Sequence, residues 1–330
     1  MTTTSLTRSL FSFGFNAFSQ TAPTSDDESI DSHKHIAVDK VLLPTWETTI
    51  IAKDGDRLEI WGWTPENQDN ELKLWDNRAI KRIFGPMGHG WVGVIDQGGS
   101  VWHYYFGSKD GAGASKKLLT TSAKDADYCE SHDAIYVLTE NGYVDCYQKQ
   151  KEDSTTFSTA SRLTHLPQIQ AMAVSFSHIL FYTTEGFNPI YALGSNRYSQ
   201  LGFDTTIQGE DDACVPIDFF SGIIAQSASI ACSPFHSAVV LDGELYTFGW
   251  RKGGRLGWGS GSKDNDGHGG GDDNDDDVIR LADFRDDNNE TAEVHVVKVV
   301  CGANHTMALD DHGRIWTCGS IQTTRSNYIY

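Results

Sequence analysis

Short apolar runs, each interrupted by a glycine turn, recur along this chain. Six segments share the outline of an apolar strand, a turn glycine and a second apolar strand. They read TTIIAKDGDRLEIWG, GWVGVIDQGGSVWHYY, DAIYVLTENGYVDCY, HILFYTTEGFNPIYALG, HSAVVLDGELYTFG and HTMALDDHGRIWTCG. The D-G, N-G or H-G pair supplies a residue able to take the positive φ of a tight turn, so each segment predicts a β-hairpin. Small and large apolar residues alternate in the flanking strands, which suits a sheet covered on both faces. No stretch approaches the ~18–20 apolar residues of a membrane-spanning helix.

The turn glycines are Gly55, Gly99, Gly142, Gly186, Gly243 and Gly313, spaced by 44, 43, 44, 57 and 70 residues. Both long spacings contain polar extra sequence, one around Gly209 to Asp212 and one from Gly259 to Asn289. A period near 44 built from strands alone implies radial repetition, because one such unit cannot bury its own apolar faces. The N-terminal Phe11-Ser12-Phe13-Gly14-Phe15-Asn16 matches only the second half of a unit. That orphan half is expected to close the ring against the last unit. The expected fold is therefore all-β, a single β-propeller domain over residues 1–330 with four-stranded blades. Seven blades are expected, with six as the alternative count. Residues 259–289 are expected to be a disordered Asp/Gly-rich insertion, since they combine like charge with few apolar anchors.

Charge narrows the function. The 330 residues hold 26 Lys+Arg against 45 Asp+Glu, a formal net charge of −19. Seven of the acids lie between Asp264 and Asp277, and the remainder of the chain is still acidic. Phosphate backbones and anionic membrane surfaces both require clustered cations, so neither is expected as a direct partner. The six cysteines form no C-x-x-C pair, which points to reduced structural thiols and an intracellular protein, cytoplasmic or nuclear.

No nucleophile or phosphate-binding motif appears. G-x-S-x-G and G-x-x-x-x-G-K-[ST] are both missing, and the glycine-rich Gly253 to Gly259 follows a strand without opening a helix. The run KDNDGHGGGDDNDDD lacks the order of an EF-hand loop. His89, His132, His178, His236 and His305 recur once per unit. Ligands spread around a ring do not converge on one ion, so each histidine is expected to bond within its own blade. No catalytic residue, cofactor or metal is expected. Trp61, Trp102 and Trp316 fall within strands and read as core. Trp63, Trp250 and Trp258, with Arg251, fall beside strand ends or in loops, and are the candidate partner-binding residues because Trp and Arg are enriched at interfaces. Packing between blades is the competing reading of these aromatics.

The fourth unit runs Ile190-Tyr191-Ala192-Leu193-Gly194-Ser195-Asn196 and then Gln200-Leu201-Gly202. The fifth continues Phe248-Gly249-Trp250 to Arg255-Leu256-Gly257, and the sixth contains Cys301-Gly302-Ala303-Asn304-His305-Thr306. These segments resemble the repeat of the regulator of chromosome condensation family, strongly from Ala171 to Ser320 and weakly from Ile36 to Gln148. The resemblance implies a propeller; with the 44-residue period and the missing catalytic constellation, the expected function is that of a monomeric, non-enzymatic protein-binding scaffold or adaptor. Short single-propeller members resemble this chain in plan, one of which partners a Jumonji-type oxygenase. The founding member is an exchange factor for a small GTPase, which is the alternative function. A protein partner with a basic surface would complement the acidic chain.

Overall fold

The structure, a computed structural model, describes residues 9–15, 19, 21–25, 27, 29–36, 38–45, 47–53, 57–63, 79–106, 115–150, 156–205, 213–258, 277–321 and 324–326. Contacts divide the chain, expected as one domain, into two compact units, 1–127 and 128–330. Strands make up the regular structure, and the helical elements among the described residues are three-residue 3-10 turns. None of the described helices is long and apolar enough to cross a membrane.

In the first unit, β1 (Ser9–Phe15) and β2 (Ser29–Ile36) form a two-stranded antiparallel ribbon. A three-stranded sheet follows, from β3 (Val38–Pro44), β4 (Thr48–Lys53) and β5 (Arg57–Gly62). The next has four strands, β6 (Ile80–Phe84), β7 (Trp91–Asp96), β8 (Val101–Tyr105) and β9 (Ser115–Thr120). The unit boundary falls inside β10 (Ala123–Cys129), which begins the sheet continued by β11 (Ala134–Thr139), β12 (Val144–Gln148) and β13 (Ser161–Arg162).

Three more four-stranded sheets complete the second unit. The first is β14 (Ala171–Val174), β15 (His178–Tyr182), β16 (Ile190–Gly194) and β17 (Val215–Pro216). The second is β18 (Ala228–Cys232), β19 (His236–Leu241), β20 (Glu244–Gly249) and β21 (Ile279–Leu281). The last is β22 (Val296–Cys301), β23 (His305–Asp310), β24 (Ile315–Ile321) and β25 (Thr324–Ser326). The six hairpins expected from the glycine period are the central pairs β4–β5, β7–β8, β11–β12, β15–β16, β19–β20 and β23–β24. Five of the six turn glycines are described, all with positive φ; Gly55 lies outside the described residues.

Among the described residues the blade sheets number six, the second of the two counts the repeat allowed. The orphan N-terminal half-unit does form a strand, but among the described residues it does not pair with the last sheet. Its partner is β2, while the last sheet takes β25 as its fourth strand. A hairpin partner lies close in sequence and is reached at low loop-closure cost. The expected disordered insertion is also corrected in part. Residues 259–276 lie outside the described residues, but 277–289 include β21, with Ile279 and Phe284 buried. Two apolar side chains within an acidic stretch are enough to anchor a fourth strand against Tyr246 to Phe248.

Strand alternation explains why the central strands are apolar on both faces. On β15, Ile179 and Phe181 join a core with Tyr136, Leu138 and Met172. Leu180 and Tyr182 point the other way, into a core with Val239, Leu241 and Phe248. The next interval repeats this with Ala238 and Val240 against Val299, Ala308 and Trp316. Successive sheets of the second unit thus share interleaved cores, and every residue of β15 is buried. In the first unit, Leu43, Ile50, Ile83, Val92, Val94 and Tyr104 form the corresponding layer between neighbouring sheets.

Candidate protein-interaction surface

The antiparallel meander sends alternate loops to opposite ends of the sheets in the second unit. One rim carries loops 175–177, 195–205, 233–235, 250–258 and 302–304; the other carries 183–189, 217–227, 242–243, 282–295 and 311–314. Backbone bonds tie neighbouring loops together within each rim. Ser195 N–H donates to Ser177 O at 2.9 Å on the first rim, and Val296 N–H donates to Gly243 O at 2.9 Å on the second.

Histidine latches lie just inside the first rim. His178 is fully buried, with Nε2 2.7 Å from Ser237 Oγ on the next sheet. The Ser237 hydroxyl donates to Gln200 O at 2.8 Å, so it accepts from the histidine Nε2–H. His236 repeats the arrangement one sheet further on. Its Nε2 lies 2.8 Å from Thr306 Oγ1, and that hydroxyl donates to Arg255 O at 2.7 Å. Nδ1 of His178 faces Ser175 Oγ, and Nδ1 of His236 faces Ser233 Oγ. Burial is the main reason both imidazoles are pushed down to about 3, so they are neutral at physiological pH. The expectation of bonding within a blade therefore covers only the Nδ1 side; Nε2 reaches the neighbouring sheet. His132 bonds within its own hairpin, to Tyr136 Oη at 2.8 Å, and His89 sits exposed in a 3-10 turn.

Outside these latches sits an aromatic and cationic cluster. Trp250 stacks on Tyr198 with centroids 5.1 Å apart and meets Phe235 edge-on at 5.2 Å. The buried Arg255 guanidinium lies 4.7 Å from the Trp250 ring centroid and donates to Ala303 O and Lys252 O. Lys252 is within 5.8 Å of the Trp250 ring, and Arg197 within 5.6 Å of Tyr198. Trp258 donates its indole N–H to Thr247 Oγ1 at 2.7 Å, with Arg251 and Arg280 at 5.7 and 5.1 Å from its ring.

Of the four sequence candidates, Trp250, Arg251 and Trp258 thus lie on one loop of this rim. Trp250 and Trp258 are half-buried, and Arg251 is exposed. Trp63 belongs to the first unit, where it is 37% exposed and its carbonyl accepts from Thr48 Oγ1. Tyr198, Phe235 and Arg255 were not singled out from the sequence. Aligning the repeats exposes Arg255: Gln200-Leu201-Gly202 and Arg255-Leu256-Gly257 occupy equivalent slots, and both leading residues offer their carbonyl to a latch hydroxyl.

Candidate chemistry elsewhere is already committed. Asp310, Asp311 and His312 are close enough together to suggest an ion site among the described residues. Both Asp310 oxygens are in use, however. Oδ1 accepts from His312 and Arg314 N–H, and Oδ2 from Arg314 Nε and Trp316 Nε1. Burial raises the Cys214 and Cys318 thiols to about 12, which makes them poor nucleophiles.

These stacked hairpin sheets define a repeat protein of the β-propeller class, with six blades. A family model for the regulator of chromosome condensation (RCC1) repeat matches residues 296–320. The X-linked retinitis pigmentosa GTPase regulator homolog of Caenorhabditis elegans is 31% identical over 165 residues, covering 47% of this chain and 10% of that protein. The Arabidopsis thaliana ultraviolet-B receptor UVR8 is 31% identical over 158 residues, covering 47% of this chain and 30% of the receptor. Crystallised with Kap60, yeast RCC1 (Prp20) superposes with a TM-score of 0.67 at 11% identity, over 98% of this chain and 83% of that one. A second structure of Prp20p, from Saccharomyces cerevisiae, gives a TM-score of 0.62 at 14% identity, over 98% and 84% of the two chains. Residues 296–320 thus carry an RCC1 repeat, and the chain aligns with less than a third of the length of either curated relative.

Proposed function

We propose that this propeller is a non-enzymatic protein-binding scaffold that contacts a partner through the Trp250 rim. The observation that supports this is the Tyr198–Phe235–Trp250 cluster, fixed from beneath by buried Arg255 and edged by the exposed cations Arg197, Arg251 and Lys252. Rigid aromatics with cations at their margin offer contact area at little cost in side-chain entropy. Yeast Prp20 is described bound to Kap60 and through its binding to Gsp1p and histones, which is consistent with a protein-binding role for this fold. A photo-crosslinking residue at position 251 of the full chain, in cells, should trap one stoichiometric protein. Equal yields of the same species from a crosslinker at Lys298 would sink the assignment.

Control of a small GTPase is the second reading, supported by the relative named a GTPase regulator homolog. Release of a fluorescent nucleotide from purified GTPases decides it. Acceleration of ~100-fold corresponds to a few kcal/mol of differential binding, above any nonspecific effect.

A further inference from the structure

The opposite rim carries a different surface. Phe187 is 71% exposed and Ile224 is 86% exposed, the two highest fractions among the exposed large apolar side chains of the described residues. Their loops are locked together. Gly222 N–H donates to Phe187 O at 2.8 Å, Ser221 Oγ bonds Asn188 Oδ1, and the Phe187 ring lies beside Gly222. Asp242 Oδ1 then accepts from Gln226 and Ser227 N–H at 2.8 Å each, pinning the chain just beyond Ile224. The two apolar side chains are thus presented by a hydrogen-bonded framework.

The charge around them has one sign. Glu185, Asp218, Asp242, Glu293 and Asp311 are exposed on loops of this rim, and Glu244 is exposed at the start of β20. Its two arginines are already engaged: Arg285 bonds Asp283 at 2.8 Å, and Arg314 bonds Asp310 at 2.6 Å. Low-dielectric apolar surface ringed by carboxylates attracts cations that bring apolar groups with them.

We infer that this rim is a docking surface for a lysine- or arginine-rich protein segment with interspersed apolar residues, which seats those residues on Phe187 and Ile224 and its cations against Glu185 and Asp218. The surface is separate from the Trp250 cluster, so either proposal stands or falls without the other.

The test uses the full chain and fluorescein-labelled synthetic peptides of about 15 residues, a length that spans a typical peptide-recognition site. A Lys/Leu peptide is compared with Lys/Ser and Glu/Leu versions by anisotropy. The Lys/Leu peptide should bind, and the other two should bind at least about tenfold more weakly. Phe187→Ser with Ile224→Ser should weaken it by about tenfold or more, and Glu185→Gln with Asp218→Asn by a lesser factor that shrinks as salt rises toward ~0.5 M. Trp250→Ala should leave it unchanged. Should the double serine variant melt early, Ile224→Ser alone serves, because that side chain is almost fully in solvent.

Three results would overturn the inference: no binding of the Lys/Leu peptide, equal binding of Lys/Leu and Lys/Ser peptides, or equal binding by parent and serine variants. Sedimentation showing a dimer of the full chain that the serine variants abolish would assign the surface to a second copy instead.

Discussion

The two rims of the second unit are built on the same strands yet differ in almost every physical respect. One is sealed by neutral buried histidines bonded across sheets and is topped by aromatics and cations. The other is held by carboxylates that accept backbone N–H groups within turns and between loops, and it leaves Phe187 and Ile224 in water. A formal charge of −19 describes neither. The meander separates loops by parity, so charge that is mixed along the chain becomes segregated in space. Net charge conceals a cationic platform at one end.

Acid should distinguish the rims most strongly. His178 and His236 have folded values of about 3, against about 6.5 in an unfolded chain. Below pH ~6.5 the unfolded state binds the extra protons, so the stability these groups contribute is present above that pH and is lost as pH falls toward 3. Each histidine contributes a slope of about 1.4 kcal/mol per pH unit in this window. Denaturant titrations between pH 7 and 4.5 should show this loss, and His236→Gln should make it shallower by about one proton, some 1.4 kcal/mol per unit. An unchanged slope would mean that the latch histidines are not buried neutral.

Glycines sharpen the contrast at the next scale. Gly249 and Gly186 both have positive φ, at 115° and 81°. An added Cβ at Gly249 would sit 2.6 Å from the Phe235 carbonyl oxygen, whereas at Gly186 nothing lies within 4 Å. Gly186→Ala should therefore cost only the backbone strain, ~1–2 kcal/mol, and Gly249→Ala clearly more, because backbone on the latch rim has to move. Equal midpoints in urea for the two variants would contradict the close approach.

A smaller effect isolates the cross-sheet bond itself. Thr306→Val keeps the volume but leaves His236 Nε2–H and the Arg255 carbonyl without this partner, a loss of ~1–3 kcal/mol. Thr306→Ser retains the hydroxyl and should fall within about 1 kcal/mol of the parent. If both variants melt together, the hydroxyl is not the link.

The architecture was readable in the sequence because its signals are local and periodic. The turn glycines, the two-faced apolar strands and the repeated histidines each mark a position inside one hairpin. What remained hidden is pairing between repeats. His178 meets Ser237, and His236 meets Thr306, through a hydroxyl that immediately follows the next histidine slot only in the fifth and sixth units. Trp250 was visible as an interface type, but its stacking partner Tyr198 comes from a loop about 50 residues earlier, beyond any local pattern, although Arg255 lies on the same loop as Trp250. The N-terminal half-unit misled for a related reason: a lone matching strand does not say which edge it pairs with, and β2 was near. Phe187 and Ile224 gave no signal, since isolated apolar residues in loops are common in sequences and become informative only when exposure is known.

The second rim supplies the smallest predicted effect, and one of distinct pH dependence. Asp310 is buried, which alone would raise its pKa. The indole N–H of Trp316, the Arg314 amide and the Arg314 guanidinium together outweigh burial and hold the carboxyl well below the usual carboxylate range. Its unfolded value is about 3.9, so its contribution is intact above that pH and is lost only as acid drives the folded carboxyl toward protonation. The histidine window thus closes where the aspartate window opens. Asp310→Asn should lower the melting midpoint at pH 7 modestly and leave the slope between pH 6.5 and 4.5 as in the parent, while removing part of the further loss below pH 4. If the variant instead altered the higher window, the separation of the rims by protonation would be wrong.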